Sequence, residues 1–313
     1  MRAATIADGA VSVAEHPDPE PGSGELLVRV RAAGLNGADI LQRAGRYPAP
    51  PGAPEDIPGL ELAGEVVGLG PGTHRFEEGD RVMAVVAGGG QAQLATVHER
   101  GVLPVPPALE WPHAGGVPEV FTTAHDALFS QAGLRMGERL LVHGAAGGVG
   151  TAAVQLGRCA GARVTATVRS AELREGVEAF GVKVIEPEGF ADHGPFDVIL
   201  ELVGAPNLGE NVKALAQGGR IIVIGIGAGA KGELSLVGLM GKRARIQGST
   251  LRARSLEDKA LAAREVERSV LPLLDAGAAM VPLAATYPLE RVGDAYEHFA
   301  RGGKLGKIVL MVG

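Results

Sequence analysis

The sequence predicts an α/β protein in two parts, a β-rich domain and a doubly wound parallel-sheet domain, on three observations. Residues 137–158 (GERLLVHGAAGGVGTAAVQLGR) read as strand, glycine turn and small-residue helix in direct succession. From Pro118 onward, apolar strands alternate with helical segments, which is the pattern of a parallel sheet with crossover helices. Before that point, and again after Gly277, the chain consists of short strands broken by glycine and proline. A chain of 313 residues is too long for one comfortable core, so two domains are expected.

From the N-terminus, strands are expected at 25–30, 62–69, 81–86 and 93–97, with turn signals at Pro21-Gly22-Ser23, Pro71-Gly72 and Glu78-Gly79-Asp80. A short helix is expected over 37–43 and a proline-rich loop over 47–58. A helix over 122–131 leads into the alternating series, with strands at 140–144, 163–168, 197–202 and 220–225 and helices at 151–160, 171–180 and 208–216. The amphipathic stretch 255–275 is expected to close this second domain. The tail, two strands at 282–287 and 306–312 around a helix at 290–300, is expected to return to the first. The division that follows is 1–117 with 279–313, and 118–278. Residues 221–224 are hydrophobic to the end of the last expected strand, which predicts an open sheet edge there.

Composition excludes several classes. Hydrophobic residues at 46% and charged residues at 21% are ordinary for a soluble globular protein. No window reaches the roughly 18 uncharged apolar residues of a membrane span. The opening MRAATIADGAVSV is too polar for a signal peptide, so a cytoplasmic protein is expected. A single cysteine, Cys159, excludes an intrachain disulfide and a cysteine-rich zinc site. The net charge of −6, the short Lys242-Arg243-Ala244-Arg245 run and aromatics at only 4% argue against nucleic-acid binding.

The glycine run carries the chemistry. Gly144, Ala145, Ala146, Gly147, Gly148, Val149 and Gly150 join a strand to a helix start, where glycine permits positive φ and the helix dipole favours an anion. A pyrophosphate, hence a dinucleotide, is the expected ligand, against a tight turn drawn by chance from 48 glycines. The next strand ends Val168-Arg169-Ser170 instead of in a carboxylate. An arginine fork and a hydroxyl suit a ribose 2′-phosphate, and Arg174 is a further candidate, so NADPH is expected over NADH. The alternative for Arg169 is an ordinary solvated arginine.

This arrangement resembles the medium-chain dehydrogenase/reductase superfamily. Gly137-Glu138, Leu141, Ala145-Ala146-Gly147-Gly148, Gly150, Gln155 and Arg158 match the spaced signature of its quinone oxidoreductase, or zeta-crystallin, branch. Residues 41–64 (LQRAGRYPAPPGAPEDIPGLELAG), 88–93 (GGGQAQ), 248–254 (GSTLRAR) and 306–310 (GKIVL) are similar to the p53-inducible quinone oxidoreductase subfamily. The resemblance implies a GroES-like β-rich catalytic domain, a doubly wound Rossmann domain and a homodimer. It also implies independence from zinc. Where zinc-dependent members carry a cysteine ligand this chain has Asn36, and their Gly-His-Glu appears as Gly59-Leu60-Glu61.

The resemblance assigns roles by position. Asn36 matches an asparagine near the nicotinamide and the acceptor, with a turn residue as its alternative. Asp39 is either catalytic or a structural carboxylate at a helix start. Tyr47 matches a tyrosine lining the cleft, and packing in the proline-rich loop is its alternative. Thr123 matches a threonine facing the nicotinamide, against a helix cap. Gly225, Ile226 and Gly227 are expected to offer backbone groups to the carboxamide, and Arg252 either meets a phosphate or orders the cleft. The chain departs from the family at Leu173 and Pro187, where members often have a lysine and a tyrosine near the 2′-phosphate. His125, His143 and Cys159 are expected only to pack or to satisfy hydrogen bonds.

The expected function is therefore a zinc-independent, NADPH-dependent quinone oxidoreductase with a small-molecule quinone or conjugated carbonyl acceptor bound between its domains. An alkenal or enoyl double-bond reductase is the nearest alternative. A non-enzymatic NADPH-binding structural or RNA-interacting protein is the third.

Overall fold

The computed structural model describes residues 1–313. Contacts divide the chain into two compact units, 1–122 with 251–313, and 123–250. No helix is long and apolar enough to cross a membrane.

The β-rich unit opens with a hairpin, β1 (Arg2–Ala7) and β2 (Ala10–Glu15). Asp8 and Gly9 turn it with φ of 49° and 76°, the left-handed pair that a two-residue hairpin demands. The Asp-Gly signal was readable but lies outside the strands expected above. There follow β3 (Glu25–Gly34), α1 (Gly37–Arg43), β4 (Glu61–Leu69), β5 (Arg81–Val85), β6 (Leu94–His98), β7 (Val102–Pro104) and α2 (Trp111–Ala114). Next, α3 (Pro118–His125) carries the chain into the second unit. The helix expected over 122–131 thus begins at Pro118, and its end, Asp126–Gln131, is π-helical.

The parallel-sheet unit contains β8 (Arg139–Val142), α4 (Gly148–Cys159), β9 (Arg163–Thr167), α5 (Arg174–Glu178), β10 (Lys183–Ile185), β11 (Phe196–Glu201), α6 (Leu208–Ala214), β12 (Leu215–Val223), α7 (Leu236–Lys242) and β13 (Arg245–Gly248). The chain then returns to the β-rich unit through α8 (Leu256–Ser269), α9 (Leu271–Asp275), β14 (Leu283–Pro288), α10 (Val292–Arg301) and β15 (Lys307–Met311).

In the β-rich sheet the order is β14-β15-β3-β4-β5-β7, with β6 also paired to β3. Its core gathers Val28, Val30, Leu62, Val82, Tyr296, Ile308 and Leu310, so alternate residues of the first and last strands are buried together. The segment 255–275, expected to close the second domain, instead belongs here. In α8, Arg264 donates to the Val102 carbonyl at 2.5 Å, Glu257 takes Arg100, and Glu267 takes Arg75.

The second sheet is parallel throughout, in the order β10-β9-β8-β11-β12-β13. Strand order therefore reverses between β8 and β11, the switch point where open α/β sheets bind ligands beyond their strand ends. The expectation of an open edge at 221–224 is corrected: Ile221 pairs with Ile246 and Ile222 with Gln247, and β13 is the edge. With only one aliphatic side chain in Arg-Ile-Gln-Gly, β13 gave no apolar run to find. Beside it, α7 exposes Leu236, Val237 and Met240.

Candidate functional site

The buried strand β8 ends in a turn that only glycine can make. Gly144 sits at φ +63°, and a Cβ on Gly150 would lie 2.6 Å from both the Gly144 carbonyl oxygen and the Ala145 Cα. Helix α4 starts at Gly148 with Gly147 as its cap, no side-chain cap bond and no acidic residue in its first turn. Its leading N–H groups are left without side-chain partners at the positive end of the dipole. Around Gly147, by contrast, there is room: the Gly144 oxygen, 3.5 Å away, is all that a Cβ would meet. Gly144 and Gly225 converge on the residues after β11. The first lies against Val203, and a Cβ on the second would strike the Leu202 carbonyl. Ile226 is half-exposed and Gly227 exposed beyond them.

At the end of β9, Arg169 is exposed, and its side chain has no hydrogen bond or ion pair. Ser170 follows, half-buried. Arg174 is differently placed. Its guanidinium donates to the Val168 carbonyl at 3.1 Å and to Glu186 at 2.7 Å, so it braces the strand end. Beneath this rim His143, wholly buried, bridges Thr167 at 3.0 Å and Asn211 at 2.8 Å. Burial lowers its pKa and keeps it neutral. Asn211 donates to Glu201 at 2.7 Å, and Glu201 also accepts from the Val203 and Gly204 N–H groups. This network fixes the turn that Gly144 faces.

In the β-rich unit, α1 and its cap place Asp39 and Asn36. Asn36 caps it, and the Lys307 ammonium lies 2.6 Å from Asn36 Oδ1, 2.6 Å from Glu61 Oε1 and 2.7 Å from the Leu35 carbonyl. Lysine only donates, so it fixes which way the Asn36 amide points. Asn36 Nδ2 donates to Glu61 Oε1 at 2.9 Å and makes a weaker contact with the Gly34 carbonyl at 3.4 Å. Glu61 Oε2 accepts from the Glu119 N–H. Asp39 is wholly buried and accepts from Asn36 N–H at 2.8 Å, Gly59 N–H at 3.3 Å and Gln91 Nε2 at 3.4 Å. It is fully enclosed and holds the Asn36 backbone from behind. Burial pushes its pKa up to about 6, against the lowering by the Asn36 N–H and the Lys307 charge.

Tyr47 follows α1 and is half-buried under the Arg252 guanidinium, 5.1 Å from the ring centroid. Arg252 donates to the carbonyls of Ala87, Tyr47 and Pro48 and to Gln42 Oε1. With those four acceptors its fork orders the proline-rich loop and is not turned to a phosphate. Burial raises the Tyr47 pKa, partly offset by Arg252, so the phenol keeps its proton. Thr123 is buried well inside α3 and not at its cap, because the helix begins five residues earlier.

Comparison with known proteins settles the family. Residues 22–107 match the alcohol dehydrogenase GroES-like domain, and residues 183–310 match the zinc-binding dehydrogenase domain. The chain is 32% identical to the quinone oxidoreductase of Rattus norvegicus over 306 residues, 94% of this chain and 91% of that one. It is a medium-chain dehydrogenase/reductase. Solved members of similar shape include a mycobacterial protein complexed with NADPH (TM-score 0.88, 26% identity, all of both chains). Another is the crotonyl-CoA carboxylase/reductase AntE V350A in complex with NADP (TM-score 0.86, 25% identity, all of this chain and 95% of that one).

Within this medium-chain dehydrogenase/reductase, sequence reasoning missed Lys307, Glu61 and Glu201 as site residues. A lysine opening an otherwise apolar strand, and glutamates in LELAG and VILELVG, were the available signals. Cys159, expected to pack or to satisfy a hydrogen bond, is exposed and accepts from the Arg158 guanidinium at 3.8 Å. His125 packs on Phe129 at 4.9 Å, and His143 is satisfied, as expected of both.

Proposed function

We propose that this protein is a zinc-independent NADPH:quinone oxidoreductase. The observation that carries the reading is the uncapped start of α4 behind the glycine turn, at the switch point of the parallel sheet. The residues fit a dinucleotide: the turn leaves room at Gly147, and no carboxylate sits in the first helical turn. In this reading the backbone N–H groups of Ala145 to Gly150 hold the pyrophosphate. Arg169 and Ser170 take the 2′-phosphate, while Gly225, Ile226 and Gly227 meet the carboxamide and Thr123 lies on the nicotinamide side. When bound, the cofactor supplies a hydride equivalent.

The chain's own part is to orient the acceptor. One Asn36 Nδ2 hydrogen is held only by the weak Gly34 contact and is available to an acceptor oxygen. The protonated Tyr47 phenol offers a second donor. Glu61 and Lys307 are positioning residues that fix the Asn36 side-chain amide, and Asp39 is one that fixes the Asn36 backbone. The quinone as acceptor is supported by the relatives that bear that name, and the residue runs noted above favour the p53-inducible subfamily.

The donor set supports the zinc-independent reading. No group of three or more His, Cys, Asp or Glu side chains converges to hold a metal. The Asn36 amide is a poor zinc ligand, Leu60 has no donor atom, and the Lys307 ammonium is already paired with Glu61. A homodimer through the β13 edge and the apolar face of α7 belongs to the same reading. Sedimentation of a V237D/M240D variant as monomer, beside a dimeric wild type, is the expected outcome.

The test is cofactor oxidation by the purified protein with benzoquinone, a naphthoquinone and an alkenal, using NADPH and NADH, with and without chelator. Chelator-insensitive quinone turnover preferring NADPH is expected. Turnover confined to the alkenal would establish the double-bond reductase, a reading favoured by the likeness to the crotonyl-CoA enzyme. No turnover with any acceptor would refute both.

A further inference from the structure

The β-rich unit contains a cavity of about 520 Å3, the size of sites for small organic ligands. Its lining includes Pro54, Val86, Leu251, Thr122, Arg252, Arg254 and Lys259, so three cations and a hydroxyl interrupt an apolar wall.

The polar groups are not equally engaged. Among the charged lining residues, Glu25 is held by the Gly22 N–H at 2.9 Å, and Arg252 is committed to the loop carbonyls and Gln42. Arg254 also lines the wall. Lys259, on α8, makes no ion pair or side-chain hydrogen bond with the protein. Its pKa is lowered by burial and then by the Arg252 charge, the electrostatic setting in which an incoming anion is favoured. Thr122 is 4% exposed, and its Oγ1 has no hydrogen-bond partner. Buried polar atoms are ordinarily paired, so an orphan hydroxyl on a cavity wall marks a place for a ligand's polar atom.

We propose that this cavity binds an amphiphilic carboxylate. The apolar body lies along the Pro54, Val86 and Leu251 walls, the carboxylate meets the Lys259 ammonium, and a second polar atom pairs with the Thr122 hydroxyl. As a statement about binding the proposal stands alone. As a statement that the acceptor is an anionic quinone or enone, it rests on the oxidoreductase reading.

Titration calorimetry with naphthoate and its neutral analogue naphthamide tests it on the full chain. Naphthoate is expected to bind the wild type, and K259M to weaken it by about tenfold or more, the loss expected of one charge-assisted hydrogen bond. K259R should retain binding, and naphthamide should not respond to either change. A hydroxynaphthoate carries the second polar atom, and T122V should weaken its binding more than that of naphthoate. Absence of naphthoate binding, equal affinity for naphthamide, or unchanged affinity in K259M would overturn the proposal. Steady-state kinetics with a carboxylated and a neutral naphthoquinone separate the two ideas: K259M should raise KM for the carboxylated acceptor alone. Lys259-dependent naphthoate binding without any quinone turnover would sustain the cavity and remove the quinone reading. A KM unchanged for both quinones would remove the cavity as the acceptor site.

Discussion

Replacing Lys307 by Met tests the network that orients Asn36. The lysine side chain is 3% exposed and its partner Glu61 0% exposed, so neither charge can recover its solvation by turning to water. Met preserves most of the stem volume and removes the three donated bonds, leaving the buried Glu61 without its cation, against Asn36 Nδ2 and the Glu119 N–H. Breaking a buried pair in this way costs about 3–5 kcal/mol, and the orphaned charge supplies most of it. Adding Glu61→Gln removes that charge, so the double variant should lose less than K307M alone, about 1–3 kcal/mol for the hydrogen bonds that remain unmade. Urea unfolding followed by fluorescence isolates the unit concerned, because Trp111 is the single tryptophan. A K307M loss under about 1 kcal/mol, or a double variant as unstable as the sum of its parts, would refute the argument.

Three further outcomes follow from the geometry. Asp39 has a folded pKa raised to about 6, so the native state holds its proton more tightly than the unfolded chain; its contribution to stability is present at low pH and falls by about 3 kcal/mol as pH rises from about 4 through 6. Urea midpoints across that window should decline in the wild type, and a flat profile would contradict the burial argument. At the glycine turn, G147A should fold normally yet bind NADPH about tenfold or more weakly, whereas G150A should be destabilised by its clash with Gly144 and Ala145, as thermal melts and cofactor titration will show. R169Q should raise KM for NADPH by about tenfold while leaving NADH unchanged; equal effects on both would remove the 2′-phosphate from that position.

The pattern of strands and helices was legible because it is written locally. Residues 37–43 were expected as a helix and form one, and the strand–turn–helix at 137–158 stands where its glycines put it. What escaped depends on distant partners. Strand β13 has little apolar pattern of its own and exists because β12 pairs with it. The placement of 255–275 was set by Val102, Arg75 and Arg100, contacts no helical periodicity encodes. Asn36, Asp39 and Tyr47 were singled out by resemblance. Lys307, the cation that decides how the Asn36 amide points, is 271 residues away and carried no local sign of that role.

The position of β15 also bears on how the protein comes to be folded during synthesis. The parallel-sheet unit is complete in sequence by residue 250, whereas the first unit lacks the strand that pairs with β3 until residues 307–311 have been made. Until then Glu61 has no cation, and the Ala32 to Gly34 end of β3, beyond the stretch paired with β6, lacks its partner. The middle of the chain can consequently settle while its beginning waits for its end. Chaperone dependence is expected to be greatest on ribosomes carrying nearly complete chains.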